Sequence, residues 1–401
     1  MWYNSRCYGQ RNLVILVINV KEIYLWLVRL MSLLWSGRRQ RDVVYLMSFG
    51  DNVPFIKALA AGMPADRQLL VFYRPSCQTA ADELAATGIT VRPFTDGLGF
   101  VFTGISQVMR ARVLFCDNYY AFLGGLRHPR RMRIVQMWHA AGAVKRFGWD
   151  DPTTADRSAS DQRRFQAVYD HFDEYVVGAP AMGQVFASSY RAPLDRMQVL
   201  GYPRSDRLQD ANWVAQTQQR VWQELPALKG HRVILYAPTY REGVTFTPPA
   251  GLAQALRRDP DARVVLRLHP ALATKAEDFQ RQLGAQGVDA AGVSTAALLT
   301  VTETLVTDYS SVAFDYSLLA NAHSLLFYLF DLPAYQQDPG VQPDLMDWLP
   351  GPALATNAQL AAAIQADAAT ELTQFNQHWN SANDGHATER VVARYVALLS
   401  D

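Results

Sequence analysis

Four short polar stretches of this chain each follow an apolar run of strand-like composition. Between them they hold side chains that could move a proton or neutralise an anion. Gln136-Met137-Trp138-His139 closes one run and leads into Ala140-Ala141-Gly142-Ala143-Val144-Lys145. Pro238-Thr239-Tyr240-Arg241 closes a second, His269-Pro270 a third, and Thr307-Asp308-Tyr309-Ser310-Ser311 a fourth. Imidazole titrates near neutral pH, so either His139 or His269 could act as general base while the other donates to charge developing on a phosphate. Arg241 offers a planar cationic fork suited to phosphate oxygens. Ser310 and Ser311 stand where a helix over 312–319 is expected to begin, so hydroxyls and free backbone N–H groups would converge on an anion. Plain N-capping is the competing use of a serine there. Asp308 could orient a histidine or a ligand hydroxyl, or bind Mg²⁺, although no carboxylate cluster demands a metal. A lone histidine is usually a hydrogen-bonded structural residue. Four strand ends carrying His, Arg, His and Asp/Ser on one side of a sheet favour a site.

Other chemistries lack support. There is no GxxxxGK[ST] loop, no H-E-x-x-H, no G-x-S-x-G, and no strand followed by G-x-G-x-x-G, so ATPase, zincin, α/β-hydrolase and dinucleotide-binding readings have no motif. Cys7, Cys77 and Cys116 are odd in number and lack metal-ligand spacing, which argues against a disulfide framework or zinc site and fits a reducing compartment. With 38 basic and 37 acidic residues the net charge is +1, unlike a dedicated nucleic-acid binder. Only five of the basic residues are Lys, a bias that codon usage would explain. The 49 % apolar content excludes global disorder, and 401 residues exceed one ordinary core.

The elements that must position these groups alternate regularly. Residues 43–49, 68–73, 111–116, 133–138 and 174–179 read as buried strands, with helices over 53–62, 78–87 and 98–110. A second series of strands follows at 232–237, 262–268, 304–308 and 324–330, reached through a polar helix over 211–229 and closed by a helical tail from about 357 to 399. The pattern predicts an α/β chain with two doubly wound parallel sheets, whose ligands bind beyond the carboxyl ends of the strands. No internal repeat is visible.

Residues 13–35 are long enough to span a membrane, but Lys21, Glu22 and Arg29 interrupt them. At about 100° per residue, Leu13, Leu16, Val17, Val20, Ile23, Leu27, Leu30, Met31 and Leu34 share one face, with Asn19, Lys21, Glu22, Arg29 and Ser32 opposite. Arg38, Arg39 and Arg41 follow. This is the pattern of a helix lying in a membrane interface with its basic end at anionic headgroups, and residues 1–41 form a membrane-associating segment on that reading. A helix packed against the next domain is the competing reading, and a start at Met31 would leave the segment out. No small-residue cleavage site follows, which disfavours a secretory signal. The basic stretch 127–133 could also face lipid or an acceptor diphosphate, or be a solvated lead-in to a strand.

The motifs in combination resemble the CDP-glycerol glycerophosphotransferase family of wall teichoic acid synthesis. The resemblance rests on Trp138-His139 with Gly142 and Lys145, then Gly201-Tyr202-Pro203-Arg204-Ser205-Asp206, Tyr236-Ala237-Pro238-Thr239-Tyr240-Arg241 and His269-Pro270. It continues through Thr307-Asp308-Tyr309-Ser310-Ser311 with Phe314-Asp315, YLFDLPAY at 328–335, and Asp384-Gly385 with Glu389-Arg390. It covers about residues 130–400, in the family's order. The resemblance implies a GT-B-like fold of two Rossmann-like domains facing a central cleft, 42–210 for the acceptor and 211–401 for the CDP-polyol. It implies transfer of glycerol phosphate from CDP-glycerol (or the ribitol analogue, from CDP-ribitol) with release of CMP. The acceptor would be a hydroxyl of an undecaprenyl-diphosphate-linked disaccharide, or of a glycerol phosphate already attached to it, at the cytoplasmic face of the cell membrane. Carried over, His139 is the base, and His269, Arg241, Ser310 and Ser311 hold the donor pyrophosphate, with Thr239 and Asp308 on the donor side. Trp138, Lys145, Arg204 and Asp206 serve the acceptor or the fold. Two departures stand out: Pro339-Gly340 occupies the place of the family's usual Arg-Gly pair, and Ala140 a place often taken by Gly. Because the first strand begins near Val43, a primase adding one unit is favoured over a polymerase. A GT-B glycosyltransferase using a sugar nucleotide is the next reading, and an inactive scaffold the last, which the pair His139 and His269 speaks against.

Overall fold

Short runs of β-branched and aromatic residues can bury both faces only inside a covered parallel sheet. The computed structural model, which describes residues 11–239, 248–268 and 273–400, forms two such sheets. The first series gives β1 (Asp42–Met47), β2 (Leu69–Tyr73), β3 (Thr90–Pro93), β4 (Ala111–Cys116), β5 (Arg133–Gln136), β6 (Glu174–Val177) and β7 (Met197–Val199), ordered β3-β2-β1-β4-β5-β6-β7. The second gives β8 (Val233–Ala237), β9 (Arg263–Leu266), β10 (Gly287–Val288), β11 (Thr304–Thr307) and β12 (Ser324–Phe327), ordered β10-β9-β8-β11-β12. Every residue of β1 and β8 is buried. The pairs β1–β2, β1–β4, β8–β9 and β8–β11 are parallel. In both sheets the order reverses beside the first strand of the series, at β1/β4 and at β8/β11.

By compactness the chain divides into two units. One holds the chain through His139, then Ser158–Tyr175 and the residues from Val392 onward; the other holds Ala140–Arg157 and Val176–Val391.

The expected central strands are present within a few residues of their expected ends. β3, β7 and β10 were not legible, because short strands carry few apolar residues and β3 leaves most of its side chains exposed at the sheet's edge. Helices form at Val53–Gly62 and Gln78–Ala86 as the pattern predicts. The helix expected over 98–110 is instead two, Leu98–Thr103 and Ile105–Val108. Between them, a Cβ on Gly104 would lie 2.2 Å from the Phe100 ring. Asp210 caps the helix Ala211–Glu224 by accepting the amide protons of Asn212 and Trp213. The tail resolves into Asn357–Ala366, Thr373–Trp379 and Ala387–Ala397.

Two of the sequence motifs hold each other within the second unit. Asn383 Oδ1 accepts the amide of Tyr202 at 2.7 Å, and Arg390 donates from Nε to the carbonyl of Leu200 at 2.8 Å while both its terminal nitrogens reach the Asp384 carboxylate. Gly201 sits between them at φ +83, where a Cβ would lie 2.1 Å from the carbonyl oxygen of Ala382. Neither that backbone angle nor that space admits an L side chain. Gly201→Ala is therefore expected to lower the unfolding free energy by about 3 kcal/mol or more, read by denaturant titration. A variant as stable as the parent would refute the clasp.

Candidate active site

Sequence places His139 three residues past β5, where a parallel strand releases its chain into a loop. The turn is held by Gln136, 1 % exposed, whose Oε1 accepts the amide of Trp138 at 2.9 Å and whose Nε2 donates to the carbonyl of Asn118 at 3.2 Å. Trp138 takes φ +56, a left-handed conformation that a bulky side chain adopts only under constraint. The His139 ring stacks on Phe49 with centroids 4.5 Å apart and lies against Trp138 at 4.3 Å. Its Nδ1 is 3.2 Å from the backbone carbonyl oxygen of Asp117. A carbonyl only accepts, so Nδ1 carries the proton and, in the neutral ring, Nε2 is the basic nitrogen.

Asp117 also anchors this corner through its side chain. Wholly buried one residue past β4, its carboxylate accepts the amides of Ser48 (2.8 Å) and Phe49 (3.1 Å) and the hydroxyl of Tyr120 (3.0 Å). Ser48 Oγ lies 2.7 Å from the Tyr120 hydroxyl and accepts from Arg74 Nε at 3.1 Å. Burial pushes the Asp117 carboxyl up to about 7 against the pull of these donors. The sequence pattern does not single out Asp117 or Phe49. The signal that could have found them is their position one residue past β4 and two past β1.

In the second unit Asp308, 1 % exposed, follows β11 and accepts the amides of Thr239 at 2.7 Å and Tyr309 at 2.6 Å. Thr239 is thus tied by its backbone beyond the end of β8. Ser310 and Ser311 are half-buried and precede a helix shorter than expected, Val312–Tyr316; Ser310 Oγ accepts the amide of Val312 only at 3.4 Å. Tyr309 stacks on Tyr335 at 3.7 Å and donates to Asp331 at 3.1 Å, so the YLFDLPAY segment supports the serine turn. Arg267, just past β9, donates to Thr295 Oγ1 at 3.1 Å, and burial lowers its pKa. Arg241 and His269 lie outside the described residues.

Lys145 forms an antiparallel bridge with Val341. Arg204 and Asp206 make contacts that hold the fold: Arg204 pairs bidentately with Asp315 at 2.9 and 3.0 Å, and Asp206 accepts the amides of Ala387 and Thr388 at the start of the last helix. A Cβ on Gly142 would lie 2.6 Å from the Phe314 ring, which explains the glycine after the histidine. Among the described residues no group of three or more His, Cys, Asp or Glu converges as metal ligands would.

Comparison with known proteins agrees with this chemistry. The family described as CDP-Glycerol:Poly(glycerophosphate) glycerophosphotransferase matches residues 101–397. A teichoic acid glycerol-phosphate primase of Bacillus spizizenii is 29 % identical over 381 residues, 92 % of this chain and 96 % of that protein. A teichoic acid ribitol-phosphate primase of the same organism is 30 % identical over 314 residues, covering 75 % and 78 %. Among solved structures, a variant of the wall teichoic acid polymerase TagF soaked with CDPG superposes with a TM-score of 0.72 over 98 % of this chain and 99 % of that one, at 17 % identity.

The Asp117 environment has a measurable consequence for stability. In the fold its carboxyl holds a proton to about pH 7, whereas an unfolded aspartate releases it near 3.8. A raised carboxyl pKa means that the unfolded chain binds fewer protons between these values, so this residue's contribution to stability falls as pH rises from about 4 to about 7 and is level above. Asp117→Asn removes the titration, so the difference in unfolding free energy between variant and parent should grow in the variant's favour across that window. A pH-independent difference would contradict the assignment.

Proposed function

The chain belongs to the CDP-glycerol:poly(glycerophosphate) glycerophosphotransferase family, and from that membership we propose that it acts as a primase, adding glycerol phosphate to a lipid-linked teichoic acid precursor. It is an α/β protein of GT-B-like fold and a CDP-glycerol-dependent glycerophosphotransferase of teichoic acid synthesis. Residues 42–210 carry the acceptor side and 211–401 the donor side on this reading. The acceptor on this reading is an undecaprenyl-diphosphate-linked disaccharide, or a glycerol phosphate already attached to it.

The observation that carries the chemical reading is the tethering of His139. With Nδ1 on the Asp117 carbonyl, Nε2 is the nitrogen that takes the proton from the acceptor hydroxyl as its oxygen attacks the glycerol-bearing phosphorus of the donor. The bond from that phosphorus to the bridging oxygen breaks and CMP leaves. Such transfer asks mainly for alignment and for neutralisation of phosphate charge, which the amides and hydroxyls at Ser310 and Ser311, with Thr239, Arg241 and His269, would supply. Incubation with CDP-glycerol and a prenyl-diphosphate disaccharide should release CMP and add one glycerol phosphate by mass. His139→Ala should slow release by about 10²–10⁴-fold without loss of fold. No CMP from the parent, or an unchanged rate in the variant, overturns the reading.

Association with a membrane surface, taken on this reading to be the cytoplasmic face, draws its support from the way the first helix, Arg11–Leu34, is docked. Among the described residues no helix is long and apolar enough to cross a membrane. The helix turns its polar side to the protein: Lys21 pairs with Asp161, Glu22 with Arg164, and Tyr24 donates to Asp96. Ser32 is wholly buried and accepts the amide of Arg127 at 2.9 Å, and Gly125 lets the Leu25 backbone approach, since a Cβ would lie 2.5 Å from its carbonyl oxygen. The apolar side faces outward, with Val20, Ile23, Trp26 and Leu34 each more than half exposed. The neighbouring helix Leu98–Thr103 adds Leu98 and Phe102, 56 % and 54 % exposed. An inverted amphipathic helix beside exposed arginines fits the headgroup region of an anionic bilayer. Replacing Trp26, Leu98 and Phe102 together with Ser should weaken sedimentation with anionic phospholipid vesicles by about 100-fold. Undiminished sedimentation would rule this face out.

A further inference from the structure

Seven residues past His139 along the chain, a cavity of about 320 Å³ opens within the second unit, and none of the groups considered so far uses it. Its walls come from two segments locked together by backbone. Arg146 N donates to the carbonyl of Gly340 at 3.1 Å, and Gln342 N to that of Val144 at 2.8 Å; the Gln342 side chain, 7 % exposed, donates from Nε2 to the carbonyl of Lys145 at 3.1 Å. Val341 and Leu345 give it a buried apolar floor, while Gln336 and Met346 stand at an exposed rim.

Arg146 is the cation of this cavity. Gly340 takes φ +88, and a Cβ there would lie 3.2 Å from Arg146 Cδ, so the arginine stem rests close over the glycine. Among the described residues no carboxylate lies within ion-pair distance of its guanidinium, whereas Arg204, Arg232, Arg390 and Arg394 each have one. A guanidinium beside carboxamides and an apolar floor suits a phosphate esterified to a short polyol: the fork takes the phosphate oxygens, the amides take hydroxyls, and the carbon backbone covers the floor.

We propose that this cavity is a polyol-phosphate subsite that holds a glycerol phosphate unit of the acceptor through Arg146. The subsite rests on the transferase reading for its ligand and takes no part in bond making. It lies apart, in sequence, from the donor groups at Thr239 and at Ser310 and Ser311.

The test uses the full chain and Arg146→Gln, which keeps length and hydrogen bonding and removes the charge. A second variant, Met346→Trp, fills the rim without touching the arginine. sn-Glycerol 3-phosphate, titrated calorimetrically, should bind the parent and bind both variants at least about tenfold more weakly. CDP-glycerol should bind all three within twofold. In turnover, KM for an acceptor already bearing glycerol phosphate should rise while kcat and KM for CDP-glycerol hold. Equal glycerol 3-phosphate affinity in parent and variants, or no binding to the parent, overturns the subsite. A loss confined to CDP-glycerol overturns it too, by making Arg146 a donor ligand. The binding arm needs no turnover, so a parent that binds glycerol 3-phosphate through Arg146 yet releases no CMP would sink the transferase reading and leave the subsite standing.

Discussion

Both sheets depend on the same device at the same place. One residue past the strand that lies beside the first strand, a buried aspartate reaches back to the backbone at the end of that first strand: Asp117 to Ser48 and Phe49, Asp308 to Thr239. These are the points where strand order reverses, so neighbouring chains leave the sheet in opposite directions and their amides lose the partners that a continuing ladder would supply. A carboxylate offers two acceptor oxygens and no donor, so it can take several N–H and O–H groups at once, as Asp117 does. The functional candidates hang from these anchors. His139 is oriented by the carbonyl of Asp117, and Ser310 and Ser311 are the second and third residues past Asp308. The crevice that opens at a switch point is thus held open by the residues that satisfy it.

Much of this was legible in sequence, for physical reasons that also explain the failures. Central strands such as β1 and β8 are buried on both faces, and an unbroken apolar run has few other solutions. Edge strands such as β3 need no such run. The break at Gly104 turns on the Phe100 ring meeting that glycine, a contact the helical period does not encode. The polar residues at strand ends stand out in sequence as a set. Their division of labour does not, because a motif does not say whether a side chain faces a ligand or a backbone amide. Arg204, Asp206, Asp384 and Arg390 belong to motifs as specific as that of His139, yet Arg204 pairs with Asp315, and the other three bind the segment around Gly201-Tyr202 to the closing segment. Asp117 escaped notice for the opposite reason: a lone aspartate after a strand carries no pattern.

The first helix shows how little periodicity says about which face is inside. Its apolar stripe is real, but the stripe at Val20, Ile23 and Leu34 points away from the protein. The docking face includes Lys21, Glu22 and Ser32, which a helical-wheel reading assigns to solvent, with Val28 as its apolar centre and Ser32 as a buried hydrogen-bonding group. In water this arrangement would be unfavourable by the transfer free energy of several large side chains. It is favourable where the outward medium is itself apolar, so the orientation of the helix carries information that its composition lacks.

The scarcity of lysine has a structural counterpart as well as a codon-level one. Arginine repeatedly does here what an ammonium could not. Arg67 spans the carbonyl of Leu399 with two nitrogens, Arg112 takes that of Leu398, and Arg390 joins two carbonyls to a carboxylate. Arg232 gathers Asp259, Asp367, Thr304 and the carbonyl of Ile364. Each uses a planar fork with several donors to close a chain end or a junction. Against that pattern an arginine without such partners stands out far more than it would in a lysine-rich protein. The net charge of +1 hides this division: the guanidinium charge of Arg67, Arg112, Arg204, Arg232, Arg390 and Arg394 is spent internally on carbonyls and carboxylates. Arg127, Arg130 and Arg131 on the surface and Arg146 in its cavity are among those left available to phosphate.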